Sequence, residues 1–72
     1  MNNVYVRVYC NENGEYARYY NVRTIHFNFD DAIEYAIKRI KEFKPSLEPV
    51  CFMVGYSSST LKTYEHDRSI TK

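Results

Sequence analysis

The sequence predicts an α+β fold, a two-layer ββαββ arrangement in which one amphipathic helix packs on one face of an antiparallel sheet. Three observations lead to it: strict apolar alternation over residues 4–10, an Asn-Gly dipeptide that reverses the chain, and helical apolar spacing over residues 30–44. At 72 residues the chain is expected to be a single small domain, 1–72, with a frayed tail from about residue 68. A core of this size covers a sheet with one helix and hardly adds a further layer.

The first strand is defined by alternation along residues 4–10. Its apolar positions are Val4, Val6, Val8 and Cys10, and the positions between them are Tyr5, Arg7 and Tyr9. Because neighbouring strand residues point to opposite faces, the apolar set is predicted to face the core and the Tyr/Arg set the opposite surface. Two aromatic rings and a guanidinium are unusual on a purely solvated strand face. This surface is therefore the best indication of what the chain contacts.

A hairpin turn is predicted at Asn13-Gly14, because Asn-Gly tolerates the positive φ of tight hairpin turns. The return strand is expected to run from Glu15 to Phe27, with a bend near residues 21–24 that could start a short third strand. A loop of even length pairs odd positions of the first strand with even positions of the second. The shared face would then hold Tyr5, Arg7, Tyr9, Tyr16, Arg18 and Tyr20, and the core side Ala17, Tyr19, Ile25 and Phe27. A three-residue loop with a bulge would turn the second strand over.

The helix is predicted over residues 30–44, with Asn28 as N-cap and two aspartates in the first turn, where the helix dipole favours negative charge. Phe27 could pack against Ala32 as a hydrophobic staple. Apolar residues at helical spacing form one core stripe, which consists of Ile33, Ala36, Ile37, Ile40 and Phe43. The opposite side is predicted to be solvated and consists of Glu34, Tyr35, Lys38, Lys41 and Glu42.

Two further strands are predicted after the helix. Pro45 and Pro49 end the helix and bound a short connector. Residues 50–54 are apolar at consecutive positions, which is typical of a central strand covered on both faces. Residues 55–59 are turn-like, and residues 60–66 have the composition of a final, more exposed strand.

Composition argues against several classes of protein. Ten Lys and Arg against nine Asp and Glu give a net charge of +1, which disfavours a dedicated duplex binder and an acidic nucleic-acid mimic. No apolar run is long enough for a membrane span, and residues 1–3 do not resemble a signal peptide, so the expected localisation is cytoplasmic. Cys10 and Cys51 form neither a disulfide framework nor a CxxC motif, and both are expected to be reduced and packed as small apolar groups.

No catalytic, metal or cofactor site is predicted. In Glu65-His66-Asp67 neighbouring side chains alternate between strand faces, so adjacency does not make a catalytic pair. The possible zinc ligands Cys10, Cys51, His26 and His66 are not at chelating spacing. The hydroxyls of residues 57–60 lack the glycine-rich loop and helix of a phosphate site. One set typical of a metal-independent ribonuclease is present, namely His26 with Tyr16, Arg18 and Tyr20.

A strand hairpin followed by Phe29-Asp30-Asp31-Ala32-Ile33-Glu34-Tyr35-Ala36 resembles the amino-terminal part of HicB-type antitoxins. The resemblance covers about residues 4–44. The chain departs from that family because it has no Pro-rich, Gly-containing loop before the helix, and no functional residue is carried over. What the resemblance implies is a small protein that acts by binding another protein.

The Tyr/Arg face has three interpretations. Its tyrosines could be ordinary strand residues that tolerate water, anchors for a protein partner or a second copy of the chain, or platforms that stack single-stranded nucleic acid while Arg7 and Arg18 contact phosphates. Because the charge is nearly neutral, the sequence favours protein over nucleic acid.

We therefore expect a small cytoplasmic binding protein that is not an enzyme, for example a phage or mobile-element inhibitor of a larger host protein. Its expected partner is a protein or itself as a homodimer, with no membrane and no small-molecule cofactor. A single-stranded nucleic-acid binder is the first alternative and a small ribonuclease the second. The expected binding residues are Tyr5, Arg7, Tyr9, Tyr16, Arg18 and Tyr20.

Overall fold

The computed structural model describes residues 3–25, 28–57 and 59–64. The elements in chain order are β1 (Val4–Glu12), β2 (Glu15–Thr24), α1 (Phe29–Phe43), β3 (Glu48–Gly55) and β4 (Lys62–Tyr64). The strands form one antiparallel sheet in the order β2-β1-β3-β4, which confirms the predicted α+β fold. The expectations for His26, the Phe27 staple and the tail from residue 65 lie outside the described residues.

The core forms where α1 packs on β1, which lies between β2 and β3. Every apolar position of the alternating β1 segment is buried, and so is the predicted helical stripe up to Ile40. Burying one such aliphatic side chain stabilises the fold by roughly 1.5 to 3 kcal/mol. The core residues on these two elements are Val4, Val6, Val8, Cys10, Ala32, Ile33, Ala36, Ile37 and Ile40.

Helix α1 begins at the predicted N-cap. The Asn28 Oδ1 atom accepts a hydrogen bond of 2.8 Å from the Asp31 backbone N–H, and its Nδ2 donates one of 3.0 Å to the Asp31 carboxylate. Near the other end the Lys41 ammonium donates to the Pro45 carbonyl at 2.9 Å and to the Leu47 carbonyl at 3.1 Å. The cap and the lysine thus satisfy backbone groups that lie beyond the helical hydrogen-bond ladder.

Phe43 does not join the core stripe as predicted. It is the last residue of α1, and its side chain is 71% exposed. The ring packs edge to face against Tyr20 of the edge strand β2, with 5.9 Å between ring centroids. Helical spacing alone does not bury this side chain, because it lies where the helix ends beside the margin of the sheet.

The hairpin turn forms as predicted, but the β2 side chains after Ala17 point to the opposite sides of the sheet from those predicted. Asn13 and Gly14 have φ values of 57° and 80°, as a type I′ turn requires. Next to the turn Asn11 pairs with Tyr16, whereas Cys10 pairs with Arg18, so a β-bulge leaves Ala17 without a partner. This extra residue inverts the parity of the rest of β2, and odd positions of β1 pair with odd positions of β2.

Further expectations for β2 and the residue after it are corrected. Arg18 and Tyr20 lie on the helix side of the sheet, whereas Tyr19 lies on the opposite face and Ala17 is exposed. The strand keeps a regular register from residue 18 to residue 24 without the expected bend or third strand. Ile25, which follows it, is 67% exposed and not part of the core.

Strand β3 is central but is covered by the helix on one side only. Phe52 and Val54 are buried on the helix side, whereas Cys51 is exposed on the other. The prediction of cover on both faces is therefore wrong, as is the expectation that Cys51 is packed inside. A second bulge, at Val50, lies opposite Cys10, so that β2 and β3 each gain one residue at the same level of β1.

Strand β4 occupies three residues of the predicted 60–66 segment. Tyr64 donates a hydrogen bond of 3.0 Å to the Asp30 carboxylate, and this bond raises the pKa of Tyr64. Its ring also packs against Phe29 with 5.6 Å between centroids. These contacts join the last strand to the first turn of α1.

The Glu12 carboxylate links the end of β1 to the segment after α1. It accepts a hydrogen bond from the Ser46 hydroxyl and one of 3.3 Å from the Lys44 ammonium. The hydrogen bond from Ser46, followed by the bond and charge of Lys44, lowers the pKa of Glu12.

Ile33 is fully buried, so shortening it tests the packing of the core. Ile33→Ala should lower the free energy of unfolding by about 2 to 5 kcal/mol, and Ile33→Val by about 0.5 to 1.5 kcal/mol. Urea denaturation followed by circular dichroism measures both. Lys38→Ala on the exposed side of α1 is the control and should change stability by no more than about 0.5 kcal/mol. Equal effects of Ile33→Val and Lys38→Ala would contradict the packing.

The Glu12 contacts predict that the stability of the fold depends on pH. Because the pKa of Glu12 is lower in the folded chain, its contribution to stability is present above the pKa of the unfolded chain and is lost as pH falls through the folded value. Ser46→Ala should raise the pKa of Glu12 toward its ordinary value, measured by NMR titration of the carboxyl carbon. An unchanged Glu12 titration would show that Ser46 has no such role.

Candidate binding face

The side of the sheet opposite α1 is a single uncovered surface, which we call the outer face. Its members follow from strand register, because directly paired residues point to the same side of a sheet. They are Tyr5, Arg7, Tyr9, Asn11, Tyr16, Tyr19, Asn21, Arg23, Glu48, Cys51, Met53, Gly55 and Thr63. No residue of the described helix covers them.

Four of the six predicted binding residues lie on the outer face, namely Tyr5, Arg7, Tyr9 and Tyr16. The shared-face prediction is wrong for Arg18 and Tyr20, which line a cleft of about 370 Å³ on the helix side together with Phe43 and Lys44. Sequence reasoning missed Tyr19, which takes their place beside Tyr9. A bulge in β2 would have assigned Tyr19 to this face, but the sequence has no distinct signal for a bulge at Ala17.

Tyr9 lies at the centre of an aromatic cluster. Its ring centroid is 6.4 Å from that of Tyr16 and 5.5 Å from that of Tyr19, with interplanar angles of 42° and 53°. Its hydroxyl donates to the Met53 sulfur at 3.7 Å. The bulge brings Tyr19 into this cluster, whereas Tyr16 lies between the turn and the bulge and reaches the outer face through its pairing with Asn11. The rings support one another and are tilted, so they do not form a row of parallel open platforms.

Arg7 is fixed on the outer face by two contacts. Its guanidinium carbon lies 4.7 Å from the ring centroid of Tyr19, and its Nε donates a hydrogen bond of 2.9 Å to Asn21 Oδ1. Arg23 is exposed at the same edge of the sheet. Among the described residues no ion pair joins either arginine to a carboxylate. The outer face therefore carries two arginines without an ion-pair partner among the described residues, and one carboxylate, Glu48.

A hollow of about 330 Å³ lies at the Tyr5 end of this surface. Its lining is formed by Tyr5, Asn21, Val22, Arg23 and Leu61. The segment that leads into β4 approaches closely here, because a Cβ atom on Gly55 would lie 2.7 Å from the Thr60 carbonyl oxygen. Glycine at position 55 thus permits Thr60 and Leu61 to pass close to the sheet.

The two thiols lie on opposite sides of the sheet. Cys10 is buried beneath α1, and burial raises its pKa, whereas Cys51 is exposed beside Tyr9. Within the described residues no three His, Cys, Asp or Glu side chains are grouped to hold a metal ion. The ribonuclease set is not assembled as predicted, because Tyr16 lies on the outer face and Arg18 and Tyr20 on the other. The histidine of that set, His26, lies outside the described residues.

Comparison of the chain with protein-family models, curated proteins and solved structures finds no match. The resemblance of residues 4–44 to HicB-type antitoxins gains no support from these comparisons. No helix in the described part of the chain has the length and apolar character that a bilayer crossing requires.

The positions of the thiols can be tested by alkylation. Cys51 should react with iodoacetamide in the folded protein, whereas Cys10 should react only after unfolding, because it is buried and its raised pKa reduces the thiolate fraction. Mass spectrometry of peptides after timed labelling measures both rates. Cys51→Ser is the control, and its remaining thiol, Cys10, should not be labelled rapidly in the folded protein. Labelling of both cysteines at similar rates in folded protein would contradict the assigned faces.

Proposed function

We propose that this chain is a small binding protein without catalytic activity that docks on another protein through its outer face. The observation that carries the proposal is the supported cluster of Tyr9, Tyr16 and Tyr19 with Arg7 stacked on it. Tyr16 and Tyr19 remain 59% and 46% exposed in this arrangement. Rings and a guanidinium held in one geometry lose little conformational entropy on binding, which favours affinity.

The chemistry of the outer face supports a protein as the partner. Tyr and Arg are the side chains most enriched among interface residues that contribute strongly to affinity, at about 2 kcal/mol or more each. Met53 and the exposed Cys51 add apolar surface next to Tyr9. The hollow beside Tyr5 could accept one side chain of the partner.

Charge narrows the kind of partner. Arg7 and Arg23 have no described carboxylate partner, so a complementary surface should present Asp or Glu around an apolar centre. A second copy of this chain would offer only Glu48 as an acidic group on its described outer face, together with two arginines. We therefore propose a different protein as the occupant of the outer face.

Single-stranded nucleic acid is the second candidate, since aromatic side chains on a sheet can stack bases. Two observations weigh against it. Arg7 already covers a face of the Tyr19 ring, and the rings around Tyr9 are tilted against one another. In addition, a net charge of +1 offers few contacts to phosphates. A ribonuclease is a weaker proposal, because its expected side chains are divided between the two faces.

A small domain that docks through its outer face suits a role as an inhibitor or modulator that covers part of a larger protein. A phage or mobile-element inhibitor in the cytoplasm is our hypothesis for such a role. It is motivated by size, and it depends on the docking proposal.

Paired substitutions test the docking proposal. Tyr5→Ser with Tyr16→Ser removes two outer-face rings, and Tyr35→Ser with Tyr56→Ser removes two exposed rings elsewhere. Each variant and the parent chain are used to capture proteins from nuclease-treated extract of the source cell, and the captured protein is then titrated by calorimetry. The outer-face variant should lose about 2 kcal/mol or more per tyrosine, whereas the control should bind like the parent.

Circular dichroism establishes that both variants are folded before capture. Retained affinity in a folded Tyr5/Tyr16 variant would show that the wrong surface was chosen. A salt series with single-stranded oligonucleotides tests the second candidate, because phosphate binding weakens steeply with ionic strength. If oligonucleotide affinity falls steeply with ionic strength and the same two substitutions abolish it, nucleic acid replaces protein as the proposed partner.

A further inference from the structure

The β2 edge of the sheet is long, and its residues 18–23 are exposed or half-buried, whereas Thr24 at its end is buried. β2 has ten residues, contains neither Pro nor Gly, and pairs with β1 on one side but with no described strand on the other. The opposite edge, β4, has only three described residues. Edge strands of this length present unpaired backbone groups to a further strand, unless charges, prolines or bulges interrupt them. Here the bulge at Ala17 limits the regular part of the edge to residues 18–24.

We propose that this edge pairs with β2 of a second copy of the chain, antiparallel and centred on Asn21. The two four-stranded sheets would then form one continuous sheet of eight strands related by a two-fold axis. In this register the two residue numbers of each cross-strand pair add to an even value, so residues of the same parity face each other. The two helices then lie on the same side of the joined sheet. The inference does not depend on the proposed function, because it uses the backbone edge of β2, although the side chains of Tyr19, Asn21 and Arg23 also belong to the outer face.

The register follows from the length of the regular segment. Residues 18–24 have their midpoint at Asn21, so an axis there pairs all seven residues, whereas a shifted axis leaves some unpaired or includes the bulge. The resulting cross-strand pairs are Asn21 with Asn21, Tyr20 with Val22, Tyr19 with Arg23, and Arg18 with Thr24.

Each of these pairs is chemically compatible. Two asparagine amides can exchange hydrogen bonds, and an aromatic ring opposite a β-branched side chain is a favourable cross-strand pair. Arg23 of one copy would meet Tyr19 of the other, where a guanidinium can stack on the ring. No pair opposes like charges, although the segment contains two arginines. Charge and side-chain shape thus support a second copy as the occupant.

Apolar side chains at the ends of the edge add to the argument. Ile25 lies beyond one end and Phe43 packs on Tyr20 near the other, and both are largely exposed in the single chain. Antiparallel pairing centred on Asn21 brings Ile25 of one copy to the level of Ala17 in the other. Contact between the copies would therefore remove isolated apolar groups from water at both ends.

Asn21→Asp is the decisive variant. A carboxylate at this position can still accept the hydrogen bond from Arg7, so the fold of the single chain should be retained. In the proposed dimer, however, two negative charges would lie directly opposite each other, which should weaken self-association by about tenfold or more. Sedimentation equilibrium should give twice the 8.6 kDa chain mass for the parent and a shift toward 8.6 kDa for the variant at equal concentration.

Matched controls make the result specific. Asn13→Asp makes the same chemical change in the turn, where Asp-Gly is also favourable, and should remain dimeric. Mixing Asn21→Asp with Asn21→Lys, each confirmed as folded, should restore twice the chain mass through opposite charges at the axis. The proposal is overturned by a parent chain that is monomeric up to its solubility limit, by a fully dimeric Asn21→Asp variant, or by folded partners that do not associate on mixing.

Discussion

The burial of one row of β1 side chains beneath α1 is the constraint on which the rest of the structure depends. Val4, Val6, Val8 and Cys10 are at most 1% exposed, and β1 is paired on both sides. Because the helix covers one side, the residues between them must emerge on the other, and they include Tyr5, Arg7 and Tyr9. The core and the proposed binding surface are thus two results of the same alternation.

The bulges determine which side chains join this surface. β2 and β3 each insert one residue opposite Cys10, so β1 keeps its own alternation while both neighbours change parity. In β2 this brings Tyr19 beside Tyr9 and moves Arg18 and Tyr20 to the helix side. The outer face consequently has a compact aromatic centre, and its arginine is supported by Tyr19 and Asn21.

Most of the fold could be predicted, because it depends on strong local signals. Alternation in β1, the Asn-Gly turn and the Asn28 cap each have a short-range physical cause that one sequence reveals. The faces of β2 could not be derived in this way, since no residue type marks a bulge and one extra residue inverts every later position. The exposure of Phe43 was missed because it depends on how far the helix reaches over the sheet, and that of Cys51 because the outer side of β3 is uncovered.

The unpaired Ala17 also indicates where the hairpin can change in length. If this residue were deleted, Tyr16 would still lie opposite Asn11 and Arg18 opposite Cys10, now as consecutive rungs of an uninterrupted ladder. Loss of one residue between 18 and 24 would instead transfer part of the strand to the wrong side of the layer. Related chains that lack the residue at position 17 would thus retain the same aromatic surface, and their β1–β2 hairpin would be straighter and less twisted.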